Sequence, residues 1–185
     1  MRGEVDDGVR EGEGDLDILI LDSGISQVQA RLHLPDFIVE DAITLSRIVF
    51  DTAPYRLVSG RIAFGVRKSV ANNSRVNPFS QTTLRLYDLE ADKLRLIAGD
   101  IVVEESHGEW DGNCAGEFWK ASRTLSIAPD RHNGAADIVI TSREKNRITE
   151  QKDEMCHDDE KNESTLTHRL KYDGRIYTVP KALKP

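Results

Sequence analysis

The chain has 185 residues, 38% of them apolar, and a mean hydropathy of −0.47, which suits one water-soluble domain with a real core. No apolar run approaches the roughly 18 residues that span a bilayer, so no membrane span is expected. The net charge of −7 is concentrated in residues 1–17 and 150–163, each with seven acids against two bases, so the rest of the chain is slightly basic. This distribution disfavours nucleic acid as a partner, although it leaves a local basic face open.

The first residues predict a tail. Residues 1–14 alternate glycine with acids and lack the apolar side chains that offset the cost of ordering. We therefore expect a disordered acidic tail, followed by a single β-rich domain over residues 15–185. The start of the chain has no positive region followed by an apolar one, so no signal peptide is expected in it; the mature form of an exported protein would look the same.

The next part of the chain combines two strand patterns with one ambiguous run. An apolar run at 16–21 and a strict alternation at 28–34 predict two strands. Pro35 is expected to end the second strand. Over residues 37–50 the apolar side chains fit one face of a helix, whereas Ile48-Val49-Phe50 also fits a strand, so one short helix is allowed here.

From residue 51 onward the pattern is β-type. A polar stretch at 71–78 predicts a loop between strands. The predicted strands are residues 55–58, 61–67, 83–87, 94–97 and 101–103.

The most readable stretch is a β-hairpin over residues 123–144. Thr124-Leu125-Ser126-Ile127 alternates with period two, and residues 137–141 are rich in β-branched side chains. Asn133-Gly134 supplies two residues that tolerate positive φ in a tight turn, and Pro129 is expected to end the first strand.

The C-terminal part predicts a loop and a second hairpin. Residues 150–163 are predicted to be a solvated acidic loop. A strand at 166–172 follows, and Asp173-Gly174 predicts a turn into a strand at 175–179. About ten strands with at most one short helix indicate an all-β fold: a single antiparallel sandwich, barrel or propeller-like domain.

Two cysteines flank the central hairpin. Cys114 precedes the hairpin and Cys156 follows it, so both lie beyond its open end, where a bridge is sterically plausible; two free thiols are the alternative. With no C-x-x-C spacing and no paired histidines they are poor metal ligands, and no metal or other cofactor is predicted. A disulfide would indicate an oxidising compartment.

The densest group of acids around a histidine lies in a glycine-rich polar loop predicted over residues 104–113. If this stretch formed a strand, alternate side chains would share one face and could hold a metal or pair an acid with a base. The side chains concerned are Glu105, His107, Glu109 and Asp111. The alternative is a polar loop rim beside a half-buried Trp110.

The turn of the central hairpin matches part of a calcium loop. Asn133-Gly134 and Asp137 correspond to the second half of the calcium loop of FG-GAP repeats. Pro129 and Arg131 stand where oxygen ligands are needed, and calcium takes six to eight oxygens, so we predict scaffold without bound calcium. His132 lies at the tip, where a partner could reach it.

Three segments together carry a resemblance to known proteins: Asp51-Thr52-Ala53-Pro54-Tyr55 with residues 63–67, residues 123–127 with Gly134 and residues 137–139, and Tyr172-Asp173-Gly174-Arg175-Ile176-Tyr177. They resemble a poorly characterised group of exported bacterial β-rich proteins. The last segment is similar to the terminal hairpin of periplasmic lysozyme inhibitors and related FG-GAP-like inhibitor or immunity domains. The resemblance implies a periplasmic or secreted envelope protein that acts by binding another protein, and it assigns no catalytic residue.

The function expected is a non-enzymatic protein-binding module of inhibitor or immunity type, whose partner is a toxin, a hydrolase or a secretion component. Large or charged side chains on loops are the expected contacts. They are Trp110, His107, Glu109, Phe79, His132 and Arg131. Two alternatives stay open: a carbohydrate- or envelope-binding module, and a hydrolase that uses the acids of residues 104–111.

Overall fold

The computed structural model describes residues 12–185, and residues 161 and 162 by their backbone alone. Within this range the nine strands are β1 (Gly12–Leu21), β2 (Val28–Glu40), β3 (Thr44–Tyr55), β4 (Ala63–Ala71), β5 (Phe79–Glu90), β6 (Lys93–Trp110), β7 (Gly116–His132), β8 (Ala135–Lys152) and β9 (Met155–Leu170). One 3₁₀ turn spans Lys181–Leu183. Residues 12–185 contain no helical segment with the length and hydrophobicity needed to traverse a bilayer. The predicted all-β fold class is confirmed.

The strands form two sheets. β1 pairs with β2, and β3 to β9 pair in chain order as one antiparallel meander. The seven-stranded sheet does not close, because β3 and β9 are its two edges. Of the three arrangements expected from the sequence, the structure is therefore sandwich-like.

β6 and β7 are paired over only part of their length, and the main core lies where they separate. In the described residues β6 pairs with β7 where residues 104–110 face residues 116–122; we call this region, with the adjoining parts of β5, β8 and β9, the distal sheet. Elsewhere β6 stays with β5, and β7 stays with β8. The main core takes side chains from both branches and from the C-terminal segment, among them Leu84, Leu86, Ile97, Ile101, Ile138, Ile140, Leu170, Tyr172 and Tyr177. The distal sheet extends beyond this core.

A second core joins the N-terminal hairpin to the meander. Ile18, Ala30 and Phe37 from β1 and β2 pack with Tyr87 and Leu94 from β5 and β6. Two cations also lie near the ring of Phe37, with Lys68 Nζ 5.1 Å and the Arg85 guanidinium carbon 4.9 Å from its centroid. Burial and cation–π contact together hold the hairpin on the sheet.

The central hairpin forms as predicted, except at its proline. Asn133 and Gly134 have φ of 50° and 87°, the values of a two-residue turn that matches strand twist. Pro129 does not end the first strand, because β7 continues to His132. The pairing instead shifts register between Ile127 and Arg131. A bulge accommodates a residue that has no N–H to donate.

Two further predictions, that Pro35 ends a strand and that residues 37–50 form a short helix, are also wrong. β2 runs through Pro35, at a register shift in which the Asp36 N–H donates to the Asp15 carboxylate at 3.1 Å. Residues 37–50 contain no helix: they end β2, turn, and begin β3. The turn is closed by Asp41, whose carboxylate accepts the N–H of Ile43 at 2.7 Å. Packing of Phe37 in the second core outweighs a weak helical preference.

Neither acidic segment matches its prediction fully. Of the predicted tail, residues 1–11 lie outside the described residues, and residues 12–14 belong to β1. Residues 150–163 are not a loop: they end β8, turn at Asp153-Glu154, and form much of β9. Bases on β8 face acids on β9, as Arg147 and Asp158 do at 3.7 Å. The acids are therefore distributed along a strand edge.

The predicted C-terminal hairpin is reduced to a tight turn. β9 ends at Leu170, and Tyr172 and Tyr177 form a single bridge. The Asp173 carboxylate accepts the N–H groups of Arg175 and Ile176 at 2.7 and 2.8 Å, and Gly174 has a φ of 103°. This turn aims Tyr177 into the core.

Candidate functional site

An aromatic row crosses the distal sheet. Phe79 on β5 pairs in register with His107 on β6, and His107 pairs with Trp119 on β7. Asn146 on β8 continues the row. Residues directly opposite in antiparallel strands project on the same face, so the four side chains lie side by side. The His107 and Trp119 rings are stacked, with centroids 4.9 Å apart and planes at 26°.

This row forms the floor of a groove of about 750 Å³. We call it the groove; it is lined by Asn77, Pro78, Phe79, His107, Gly108, Glu109, Glu117, Trp119 and Asn146. His107, Glu109 and Glu117 are exposed, whereas Phe79 and Trp119 are partly buried. The groove thus combines aromatic surface with two carboxylates on a regular sheet.

The two carboxylates face each other. Glu109 on β6 and Glu117 on β7 are a direct cross-strand pair, one step beyond His107 and Trp119 on the same face. Like charges in such a pair repel and lower stability. The groove is therefore strongly acidic at one end.

Glu105 lies on the other side of the row and serves the scaffold. Its carboxylate accepts a 3.3 Å hydrogen bond from Gln81. It also lies 3.8 Å from the guanidinium of Arg123, whose side chain is buried. Glu105, His107 and Glu109 share one face, as predicted for a strand.

Asp111 does not join them. It follows the end of β6, where its carboxylate accepts the N–H groups of Asn113 and Cys114 at 2.8 and 2.9 Å. These hydrogen bonds hold the pKa of Asp111 below its usual value. Across the part of the chain that the structure describes, no three His, Cys, Asp or Glu side chains are grouped as a metal site would require.

Trp110 is separated from the groove by the sheet itself. It alternates with Glu109, so it lies on the opposite face, where the Arg75 guanidinium carbon is 5.8 Å from its ring. Phe118 is on that face too, and Arg147 lies 4.7 Å above it. The Phe118 ring covers Gly108, where an added Cβ would meet it at 2.4 Å. The predicted loop at residues 104–113 is thus mostly strand, with an aromatic side chain on each face.

The turn residues predicted as contacts lie at the other end of β7. His132 is roughly 40 Å from Trp119 along the strand, at about 3.3 Å per residue. Its Nδ1 donates to the buried Asp137 carboxylate at 2.6 Å, and Arg169 donates to the other oxygen at 3.1 Å. Arg131 donates to the backbone oxygens of Leu57 and Gly134. These hydrogen bonds hold the turn against neighbouring segments, and the turn is distant from the groove.

Asp137 is the buried carboxylate that accepts the side-chain hydrogen bonds at this turn. Burial alone would raise the pKa of Asp137, but hydrogen bonds from His132 and Arg169 outweigh burial and lower it. Both oxygens that a calcium ion would need already accept hydrogen bonds from these donors.

The cysteines close the distal sheet. Cys114 and Cys156 are paired as a disulfide, with Cα atoms 5.6 Å apart. The bond connects the turn between β6 and β7, which holds Cys114, to the start of β9, which holds Cys156. Of the two alternatives that the sequence leaves open, a disulfide or two free thiols, the structure has the disulfide, and it connects the two hairpins of the distal sheet.

Trp119 is the site residue that sequence reasoning missed. It precedes the predicted hairpin of residues 123–144, in a stretch for which neither an element nor a contact residue was predicted. A turn at residues 111–115 would have placed it opposite His107, and Asp111-Gly112-Asn113 carries the composition of such a turn.

Comparisons with models of protein families, with curated proteins and with solved structures give no match. The groove and its chemistry are therefore the basis for assigning a function.

Proposed function

We propose that the chain is a non-enzymatic protein-binding module whose contact surface is the groove. The observation that supports it best is the in-register row of Phe79, His107 and Trp119 on an uncovered sheet face. Aromatic side chains provide much of the binding energy at interfaces when a rigid element presents them. The His107 and Trp119 rings are already stacked on each other without a partner.

The module is of inhibitor or immunity type and acts in the bacterial envelope on a toxin, a hydrolase or a secretion component. The disulfide between Cys114 and Cys156 supports an oxidising compartment, periplasmic or secreted. The resemblance of the Tyr172–Tyr177 turn to inhibitor domains supports the same class. In this proposal no catalytic residue is needed, because blocking a partner requires only complementary surface.

Replacement of one groove residue tests the proposal. Tagged wild-type protein and the Trp119→Ala variant are used to capture partners from envelope extract, and the strongest candidate is then purified and titrated by calorimetry. We expect Trp119→Ala to weaken binding of the purified partner at least tenfold. Lys120→Ala is the matched control, because Lys120 is the next residue, is exposed, and lies on the opposite face.

Equal binding of the purified partner by Trp119→Ala and wild type would contradict this use of the groove. Turnover of a substrate that is lost in Glu105→Ala, His107→Ala or Glu109→Ala while partner binding persists would favour the hydrolase instead.

A carbohydrate- or envelope-binding module is the second candidate. It is favoured by one observation, the adjacency of the Trp119 ring to the Asn146 amide and two carboxylates in an open groove. Sugars stack on aromatic rings while polar side chains contact their hydroxyl groups. A saccharide array with wild type and Trp119→Ala distinguishes the two, since a glycan bound only by wild type would favour this candidate.

A further inference from the structure

We propose that the groove recognises an arginine side chain, so that the partner is a basic protein which places a guanidinium against the Glu109–Glu117 pair and the Trp119 ring. The inference rests on the proposed function and specifies the chemistry of its partner. It follows from an unbalanced charge beside an uncovered aromatic surface.

Unlike several acids of β9, the two facing carboxylates of the groove have no cation partner among the described side chains. Acids of β9 lie close to cations: Asp158 to Arg147, Asp159 to Lys152, and Glu160 and Glu163 to Lys145, all at 3.7 to 4.0 Å. Among the described side chains, no Lys, Arg or His nitrogen lies within 4.0 Å of the Glu109 or Glu117 carboxylate. The pair repels in the free protein, and a guest cation would relieve that repulsion.

The aromatic floor favours a guanidinium over an ammonium group. A guanidinium is planar and weakly hydrated, can stack on an aromatic ring, and can donate two hydrogen bonds to each carboxylate it meets. Trp119 is the aromatic side chain with the strongest cation–π attraction. Carboxylates and ring thus offer both kinds of contact in one groove.

On the opposite face of the distal sheet, residues of this chain already form an arginine–aromatic–carboxylate contact. There Arg147 lies over Phe118 at 4.7 Å and within 3.7 Å of the Asp158 carboxylate. In the groove, Trp119 and Glu117 provide the aromatic and the acid, and the cation is the missing component. We infer that the partner supplies it.

A short peptide provides a direct test. The probe is acetyl-Gly-Arg-Gly-Arg-Gly-amide, titrated into the full chain while the indole N–H resonance of Trp119 is followed by NMR. We expect saturable shifts at Trp119, at least tenfold weaker binding of the peptide with citrulline in place of arginine, and several-fold weaker binding of the lysine peptide. Raising the ionic strength from about 0.01 M to 0.15 M should weaken binding, because the Debye length falls from about 30 Å to 8 Å.

Charge-neutral variants locate the site. Glu109→Gln combined with Glu117→Gln should abolish the arginine preference. Glu104→Gln is the matched control, since Glu104 is an exposed acid on β6 that lies on the opposite face. It should bind the arginine peptide within twofold of wild type.

Equal affinity for the arginine and citrulline peptides, an equal loss in Glu104→Gln, or displacement of the peptide by millimolar Ca²⁺ would overturn the inference. If the peptides fail to bind while partner capture still depends on Trp119, the arginine inference is wrong and the proposed function stands. If capture is also independent of Trp119, both are wrong.

Discussion

The hydroxyl of Tyr177 donates a 2.6 Å hydrogen bond to the backbone carbonyl of Ala136 in the buried core. The backbone N–H of Tyr177 donates to the carbonyl of Ile97 at 2.8 Å. Ile97 belongs to β6 and Ala136 to β8, so this one residue links the two branches of the divided meander. Burial raises the pKa of the Tyr177 phenol, which keeps it protonated as a donor.

Tyr177→Phe should lower the free energy of unfolding by about 1–2 kcal/mol, because the buried Ala136 carbonyl loses its partner. Urea unfolding followed by tryptophan fluorescence measures this. Tyr172→Phe is the control: its ring packs 5.2 Å from that of Tyr177, but its change removes no comparable buried hydrogen bond among those described. Equal losses in the two variants would show that the Tyr177 hydroxyl contributes nothing.

The Glu109–Glu117 pair should cost stability in the free protein. Glu117→Gln removes the repulsion across β6 and β7, so we expect the free energy of unfolding to rise by up to about 0.5 kcal/mol. The measurement is again urea unfolding, at low ionic strength, where screening is weak. Glu104→Gln should leave the stability unchanged, and a stability loss in Glu117→Gln would mean that its carboxylate has a structural partner.

Asp137 should make the stability depend on acid pH. Its folded-state pKa is lower than its ordinary value of 3.8, so the folded state holds the charged form more tightly than the unfolded state does. That stabilisation is complete above about pH 4 and is lost as the pH falls through the lowered pKa. Asp137→Asn should therefore cost about 3 kcal/mol at pH 7, and the difference from wild type should shrink below pH 4.

The control for that pH profile is Asp130→Asn. Asp130 binds the same Arg169 but is exposed, so its loss should cost under about 1 kcal/mol. A gap between wild type and Asp137→Asn that stays constant from pH 7 to pH 2.5 would contradict the assigned cause.

The fold class was readable because its signals are local. Alternation at residues 124–127 and the turn at Asn133-Gly134 each depend on neighbouring residues, and both appear in the structure. Pro35 and Pro129 misled because each was expected to end a strand. In the sheet, a register shift accommodates the missing N–H, and only the partner strand shows where such a shift is tolerated.

The site was harder to read because it depends on register between strands. Phe79, His107 and Glu109 were predicted as contacts and do meet, but on a strand surface rather than on loops. Predicting Trp119 as a site residue requires the register between β6 and β7, and that register is set by the turn that connects them. The loop prediction for residues 150–163 was wrong for a similar reason, since the acids of this segment face the bases of β8 only when the two strands are paired.

The disulfide should stabilise both the whole domain and the groove. It joins residues separated by 42 positions, so its loss should lower the free energy of unfolding by about 4 kcal/mol in the chain-entropy model. Cys114 and Cys156 lie at the tips of two neighbouring hairpins, so we expect the effect to be strongest in the distal sheet. Replacing both with Ser should lower urea stability and reduce hydrogen-exchange protection near residues 107 and 119, with less change in β4. Reducing agent should destabilise the wild type to the level of the double variant and leave that variant unchanged. A variant as stable and as protected as the wild type would show that strand pairing alone holds the groove.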